Sequence, residues 1–322
     1  MRAVVIDSPG GPEVLEIRDV PVPSVAAGQV LIEVKAFGLN RSELHFRRGD
    51  AYNGSFPRIP GIEATGVVRE APGGEFTPGT HVVTMMGGMG REFDGGYAEF
   101  VAVPAAQVIP FTSDLPWNLL GAVPEMLQTA AGTLDIGLEA SPGQTLLIRG
   151  GTSSVGLAAA VLGKLRGMRV IATTRNPSRT GLLTMVGVDD VVIDDGQIAP
   201  RIRQLVPGGV DAAVELVGVN VLKDTLRSVR TGGVVCFTGM LSDEWTIREF
   251  YPMDWLPNGV RLTSYSGQAA DLAPATLQQF LDAVARGGAR VPLGKTYRMS
   301  EIVQAHRDME AGTISGKAVV LP

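Results

Sequence analysis

A chain of 322 residues, 45% apolar and 19% charged, has the composition of a water-soluble globular protein, and its length points to two domains, not one core. A net charge of −5 without a basic run argues against nucleic-acid binding, and no apolar stretch approaches the ~20 residues of a membrane-spanning helix. The opening MRAVVIDSPGG meets Asp7 and a Pro9–Gly11 turn too early for a signal-peptide core, and the single Cys236 cannot form an internal disulfide. The expectation is a cytoplasmic protein with Cys236, in the apolar run VVCFTG, as a small core residue.

Residues 1–119 read as strands and turns. Ala3–Ile6, Val14–Asp19, Gln29–Gly38, Gly66–Arg69, His81–Thr84 and Ala98–Val103 are short β-branched runs bounded by Gly and Pro, as in an irregular β-barrel. Leu39–Arg48 is the exception, a short helix opened by Asn40. From about Leu120 strand candidates at 144–149, 169–173, 190–193, 211–216, 233–237 and 260–264 alternate with helical segments. That alternation implies right-handed crossovers and a parallel sheet of about six strands. A helix over Pro274–Arg286, the segment Tyr297–Glu310 and a terminal strand Lys317–Leu321 follow, and the last strand resembles the first region. The expected domains are 1–119 with 268–322, and 120–267 between them.

The most informative stretch is Gln144–Gly156, QTLLIRGGTSSVG. An apolar strand breaks at Gly150 and Gly151, and Thr152, Ser153 and Ser154 bring hydroxyls and N–H groups into a tight turn. Val155 opens a helix whose early turns carry Gly156, Ala158, Ala159 and Ala160. A helix N-terminus with unpaired N–H groups and small neighbours suits a pyrophosphate, so this is a dinucleotide-binding turn, off the plain G-x-G-x-x-G spacing.

Several dispersed motifs, in order, carry a resemblance: MRAVVIDSPGGPEVLEI, FGLNRSELHFRRG, PGIEATGVV, GGYAEF, GGTSSVG and AHRDMEAGTISGKAVVL. With these the chain resembles the zinc-free quinone oxidoreductase group of the medium-chain dehydrogenase/reductase superfamily over essentially its whole length. The resemblance implies a GroES-like β-barrel catalytic domain built from both chain ends, a Rossmann doubly wound α/β domain between them, and an active site in the cleft. Positions that hold catalytic zinc in zinc-dependent members are here Asn40, Ile62 and Glu125, and the four cysteines of their structural-zinc loop are missing. Ile62 has no lone pair and Asn40 is a poor ligand, so no zinc is expected. Ser42 and His45 match a proton relay that has no purpose without zinc, and Glu63 matches a carboxylate behind the metal, expected here as a buried hydrogen-bonding residue. A metal-free site suits acceptors already activated, such as quinones or conjugated carbonyls.

At the end of the second Rossmann strand an NAD-binding protein places an acid on the ribose 2′-OH. No acid occurs from Arg169 through Thr184, whereas Arg175 and Arg179 sit where a 2′-phosphate would lie. NADPH is therefore the expected cofactor, with Arg179 read alternatively as a solvated helix residue. The resemblance puts Arg41 near the pyrophosphate, Thr129 against the nicotinamide, Gly218 beside the adenine, and Phe237 and Gly239 at the carboxamide. It brings Lys317 toward the cleft, the alternative being a surface lysine at a strand entry. With the turn residues Gly151, Thr152, Ser153, Ser154 and Val155, these are the expected cofactor contacts.

For the substrate, Asn40 matches an asparagine whose amide would hold a carbonyl in quinone reductase relatives. Tyr52 lies in a loop that carries a tyrosine at the cleft in quinone and enoyl reductase relatives, where a phenol donates a proton or hydrogen bond to a developing oxyanion. The loop TMMGGMGREF and the segment SDEWTIREFYPMDWLP, with Trp245, Phe250, Tyr251, Met253 and Trp255, are expected to line or cover the substrate entrance. Two other functions stay open: an enoyl or alkenal double-bond reductase, and a non-catalytic NADPH-binding sensor or structural protein. A homodimer through the exposed Rossmann edge strand Val260–Ser264 is expected.

Overall fold

In the computed structural model, which describes residues 1–50 and 54–322, the chain divides into two units. Met1–Gln128, Gln268–Arg286 and Leu293–Pro322 form the first; Thr129–Gly267 and Gly287–Pro292 form the second. In chain order the strands are β1 (Arg2–Val5), β2 (Glu16–Asp19), β3 (Gln29–Gly38), β4 (Glu63–Glu70), β5 (His81–Met85), β6 (Phe100–Pro104), β7 (Val108–Pro110), β8 (Thr145–Arg149), β9 (Arg169–Thr174), β10 (Asp190–Ile193), β11 (Val210–Glu215), β12 (Val229–Phe237), β13 (Arg261–Ser264), β14 (Leu293–Arg298) and β15 (Lys317–Leu321).

The first unit is built on β3, ten residues that pair with β4, β6 and β15 along their length. Pairing on several sides explains why β3 is buried almost continuously and not alternately. The sheet order is β14-β15-β3-β4-β5-β7, antiparallel except for the parallel β14–β15 pair, and β1 and β2 form a separate hairpin-like pair. Val4, Ile6, Val30, Ile32, Phe37 and Val320 are among the side chains of its core. Helix α1 (Arg41–Arg48) follows β3 and ends at Gly49 in the left-handed region, φ 82°. Short α2 (Trp117–Leu120) and α3 (Pro124–Gly132) lead out of this unit.

The sequence misses some detail here. Pro12 starts a 3-10 turn over Pro12–Val14, so the second strand begins at Glu16 and not at Val14. β4 runs from Glu63, three residues earlier than its β-branched run suggests. β14 was not legible as a strand because its residues are mostly exposed and carry no alternation, its partner β15 supplying the pairing.

The second unit holds six parallel strands in the order β10-β9-β8-β11-β12-β13. Counted within the unit this is 3-2-1-4-5-6, the doubly wound Rossmann order. Helices α4 (Ser154–Leu165), α5 (Thr180–Met185), α6 (Ala199–Leu205) and α7 (Val219–Ser228) make crossovers. Gly156 and the alanines 158–160 of α4 are buried, so the helix lies close on the sheet. β12 begins four residues before its apolar run, its register with β11 shifting between Val210 and Ala212. Cys236 is fully buried in it, and burial pushes its thiol up, as a core cysteine requires. Among the described residues no helix is long and apolar enough to cross a membrane.

Candidate active site

In the second unit the strand ends bring the expected cofactor residues to one edge. Register sets Arg149 level with Glu215 and Glu215 level with Phe237. Beyond Arg149, the Gly150 N–H donates to Thr173 Oγ1 (3.1 Å) and the Gly151 N–H to the Thr173 carbonyl (3.0 Å). The turn is thus tied to the end of β9, two residues before Arg175. Ser153 caps α4: its Oγ accepts from the Gly156 N–H at 3.1 Å and donates to the Gly150 carbonyl at 2.8 Å. A Cβ on Gly156 would stand 2.7 Å from the Gly150 oxygen and 2.8 Å from the Gly151 oxygen, so only glycine lets the helix meet the turn. The N–H groups of Ser154 and Val155 take no acceptor among the described residues. Thr152 to Val155 are half-buried, and a helix start of this kind suits an anion.

Arg175 is exposed and Arg179 half-buried in a 3-10 turn that Asn176 caps by accepting from the Ser178 N–H at 2.9 Å. The carboxylate at the end of neighbouring β10, Asp194, is engaged by Arg149. Nε and Nη2 of that fully buried guanidinium each donate at 2.9 Å to Asp194, and Nη1 donates to Asp224 at 2.9 Å. Burial pushes Asp194 up, but the Arg149 hydrogen bonds outweigh it and hold the carboxyl below the usual range. Sequence reading missed Arg149, which looked like the boundary of an apolar run; its partners lie 45 and 75 residues further on.

Glu215 fixes the next turn. Its Oε1 accepts from the N–H groups of Val217 (2.7 Å) and Gly218 (3.1 Å), and its Oε2 accepts from Thr225 Oγ1. Burial pushes its carboxyl up to about 7, against the lowering effect of those bonds and of the Arg149 charge. Beyond Phe237, the N–H groups of Thr238 and Gly239 donate to the Glu215 carbonyl at 2.9 and 3.1 Å. Thr133 Oγ1 lies 3.1 Å from Thr238 Oγ1 and donates to the Thr129 carbonyl at 2.7 Å, which ties the Thr129 turn to the end of β12. In the segment after it, Trp245, Phe250, Tyr251 and Met253 are exposed, whereas Trp255 is partly buried and packs against the core of this unit.

Asn40, Arg41 and Lys317 belong to the first unit. Asn40 precedes α1, and Glu43 reaches back to its backbone N–H at 2.9 Å. The Asn40 Nδ2 donates to Glu43 Oε1 (3.2 Å) and Glu63 Oε1 (3.0 Å), and its Oδ1 accepts from Lys317 Nζ. Both amide hydrogens are occupied within the cluster, and a substrate carbonyl would have to displace a carboxylate to reach them. Arg41, the first residue of α1, is half-buried. Tyr52 lies outside the described residues.

Lys317 is 1% exposed and lies inside the first unit, not on its surface. Its Nζ stands 2.8 Å from Glu63 Oε1 and 3.1 Å from Glu125 Oε2, besides its bond to Asn40. Burial alone would push the ammonium down; Glu63 and Glu125 outweigh it and hold it above its ordinary value. Burial likewise pushes Glu43 up to about 7, against the Ile62 N–H and the Asn40 amide. Ile62 is buried and offers only that N–H, 3.0 Å from Glu43 Oε1. Of the three positions that zinc-dependent relatives use as ligands, one is thus apolar and two already coordinate an ammonium. Among the described residues no three His, Cys, Asp or Glu side chains are grouped to hold a metal ion. This donor set does not fit zinc.

Two family models match the chain: an alcohol dehydrogenase GroES-like domain over residues 26–113 and a zinc-binding dehydrogenase over residues 186–320. The quinone oxidoreductase of Mus musculus is 28% identical over all of this chain and 98% of its own length. Together these matches support the quinone oxidoreductase group of the medium-chain dehydrogenase/reductase superfamily as the family this chain resembles. Its first unit is accordingly the GroES-like domain and its second the Rossmann domain. An alcohol dehydrogenase of Geobacillus stearothermophilus is 27% identical over 99% of the chain and 98% of its own length. A mycobacterial protein solved in complex with NADPH, 27% identical, superposes over all of both chains with a TM-score of 0.86. These likenesses support an oxidoreductase of that superfamily, and they include both quinone and alcohol enzymes.

Proposed function

We propose that the protein is an NADPH-dependent oxidoreductase that reduces a quinone or a similarly conjugated carbonyl without a metal. The observation that carries the reading is the donor set at the positions matched to zinc ligands: Ile62 is apolar, and Asn40 and Glu125 hold the Lys317 ammonium. Without a Lewis acid to polarise an alcohol or an isolated carbonyl, the site suits an acceptor already activated by its own conjugation. The relatives named quinone oxidoreductase support the same class.

Residues of the Rossmann edge would hold the dinucleotide. The Gly151–Val155 turn would take the pyrophosphate on the N–H groups of Ser154 and Val155, with Arg41 adding charge. Arg175 and Arg179 would take the 2′-phosphate, and Asp194 has its acceptor sites taken by Arg149, the Gly196 N–H and the Thr173 hydroxyl. Gly218 would lie along the adenine side, and Thr129, Phe237 and Gly239 along the nicotinamide. Bound NADPH supplies the hydride. The chain's own work is to orient the acceptor and bring a proton to its oxygen. Asn40 and Tyr52 are the residues proposed for that oxygen, Asn40 by exchanging a carboxylate bond for one to the acceptor.

The test follows NADPH oxidation with a quinone and a conjugated enal in parallel, with NADH as the control. Quinone turnover with NADPH preferred is the expected result. Turnover of the enal alone would favour a double-bond reductase, and NADPH binding without turnover of either would overturn the enzymatic reading.

A further inference from the structure

Three features of the GroES-like domain converge on Lys317. Its ammonium has three hydrogens and three oxygen partners, Asn40 Oδ1, Glu63 Oε1 and Glu125 Oε2, so its donor capacity is filled. Glu63 meanwhile has its second oxygen on the Glu125 N–H at 2.8 Å. The backbone is shaped around the pair: a Cβ on Gly38 would overlap both Glu63 Oε1 and Lys317 Cε. Two of the three partners, Asn40 and Glu125, stand at positions matched to metal ligands.

We infer that Lys317 is the resident cation of this site: its ammonium occupies the place of a divalent metal and orients Asn40 and Glu125 as a metal would orient its ligands. Lys317 is a positioning residue. It has no hydrogen left for a substrate, and it acts through the Asn40 amide and through Glu125, whose side chain is the most exposed of the three partners at 13%. This rests on the metal-free reading above and goes further, because it names what replaces the metal. The difference has a physical consequence. Truncating the side chain opens a vacancy lined by an amide oxygen and two carboxylates, which are ligands suited to a small cation.

The experiment compares wild type, Lys317→Ala and Lys317→Met by thermal melting in methylammonium chloride, magnesium chloride or zinc chloride. In Lys317→Ala the melting temperature is expected to rise by about 4 °C or more at saturating methylammonium or divalent cation. Wild type and Lys317→Met, whose sites are filled by their own side chains, are expected not to respond. The KM for the acceptor, raised in Lys317→Ala, should fall back with methylammonium while the KM for NADPH stays unchanged. Equal responses of all three proteins, or none in Lys317→Ala, would overturn the inference. Should Lys317→Ala not fold, metal analysis of wild type decides. After dialysis against zinc and desalting it should retain less than about one zinc per ten chains, and one tightly held zinc per chain would overturn the inference. Failure of quinone turnover in wild type would sink the proposed function and leave the melting result standing.

Discussion

Arg149 and Asp194 meet through two hydrogen bonds of 2.9 Å each, buried at the C-terminal edge of the parallel sheet. The pair ties the end of β8 to the end of β10 across β9. Arg149→Met leaves Asp194, Asp224 and Glu215 without their cation, and is expected to cost about 3–5 kcal/mol of stability. Adding Asp194→Asn should recover part of that loss, since the double variant buries one charge fewer. Urea unfolding of the singles and the double measures this, and strict additivity would show that the two residues do not act as a pair.

Arg175→Ala is expected to raise the KM for NADPH about tenfold or more and to leave that for NADH nearly unchanged. A charge-assisted hydrogen bond contributes roughly 1.5–3 kcal/mol, and each ~1.4 kcal/mol is tenfold in affinity. Steady-state kinetics with both cofactors is the measurement. An equal effect on the two would remove Arg175 from the 2′-phosphate site.

Gly156→Ala puts a methyl group 2.7 Å from one turn carbonyl and 2.8 Å from the next. The helix must move off the turn, at a cost of about 1–3 kcal/mol in stability. Binding of NADPH and NADH should weaken together, because both share the pyrophosphate. Calorimetric titration with each cofactor checks it, and a loss confined to one would be inconsistent with the assigned role.

Glu215, raised to about 7 by burial, binds a proton in the folded protein through a range where the unfolded chain has released it. Its contribution to stability is therefore full below the ordinary glutamate range and is lost as pH rises through about 7. The geometry permits the protonated form: Oε1 keeps the two backbone donors, and the Thr225 hydroxyl can turn to accept from Oε2. Unfolding free energy is expected to fall by about 1–3 kcal/mol between pH 5 and 8. Glu215→Gln should flatten part of that slope, the remainder belonging to groups such as Glu43. An unchanged slope in Glu215→Gln would clear Glu215 of the effect.

β13 is an edge strand, paired among the described residues with β12 alone. Its outer N–H and C=O groups are the natural place for a second copy to pair about a two-fold axis. Sedimentation at micromolar concentration is expected to give twice 33.9 kDa. A monomer mass would rule the pairing out.

The Rossmann strands were legible because each is a short apolar run flanked by helical segments, and β8, β9 and β10 end within a residue of their expected limits. The Gly150–Gly156 turn was legible because its residue types are dictated locally, by backbone approach and capping. What stayed hidden is the polar interior. Arg149 sits in an apolar run as a lone charge, and only the fold brings Asp194 and Asp224 to it. Lys317 had two readings, cleft or surface, because burial of a lysine depends on partners that the sequence around it does not reveal. Glu63 was readable as a buried hydrogen-bonding residue, but its cation was not.

Lys317 reaches Asn40 across 277 residues of sequence, with the Rossmann domain in between. During vectorial synthesis, the stretch carrying Asn40, Glu43 and Glu63 emerges long before the lysine that neutralises it. Until that segment returns, Glu63 lacks its ammonium partner and β3 lacks its pairing with β15, so the interior of the GroES-like domain is incomplete. A ribosome-bound chain would present an open, protease-sensitive first domain beside a Rossmann domain able to form from its own contiguous strands. The segment that carries Lys317 is thus the last the GroES-like domain needs to complete its interior.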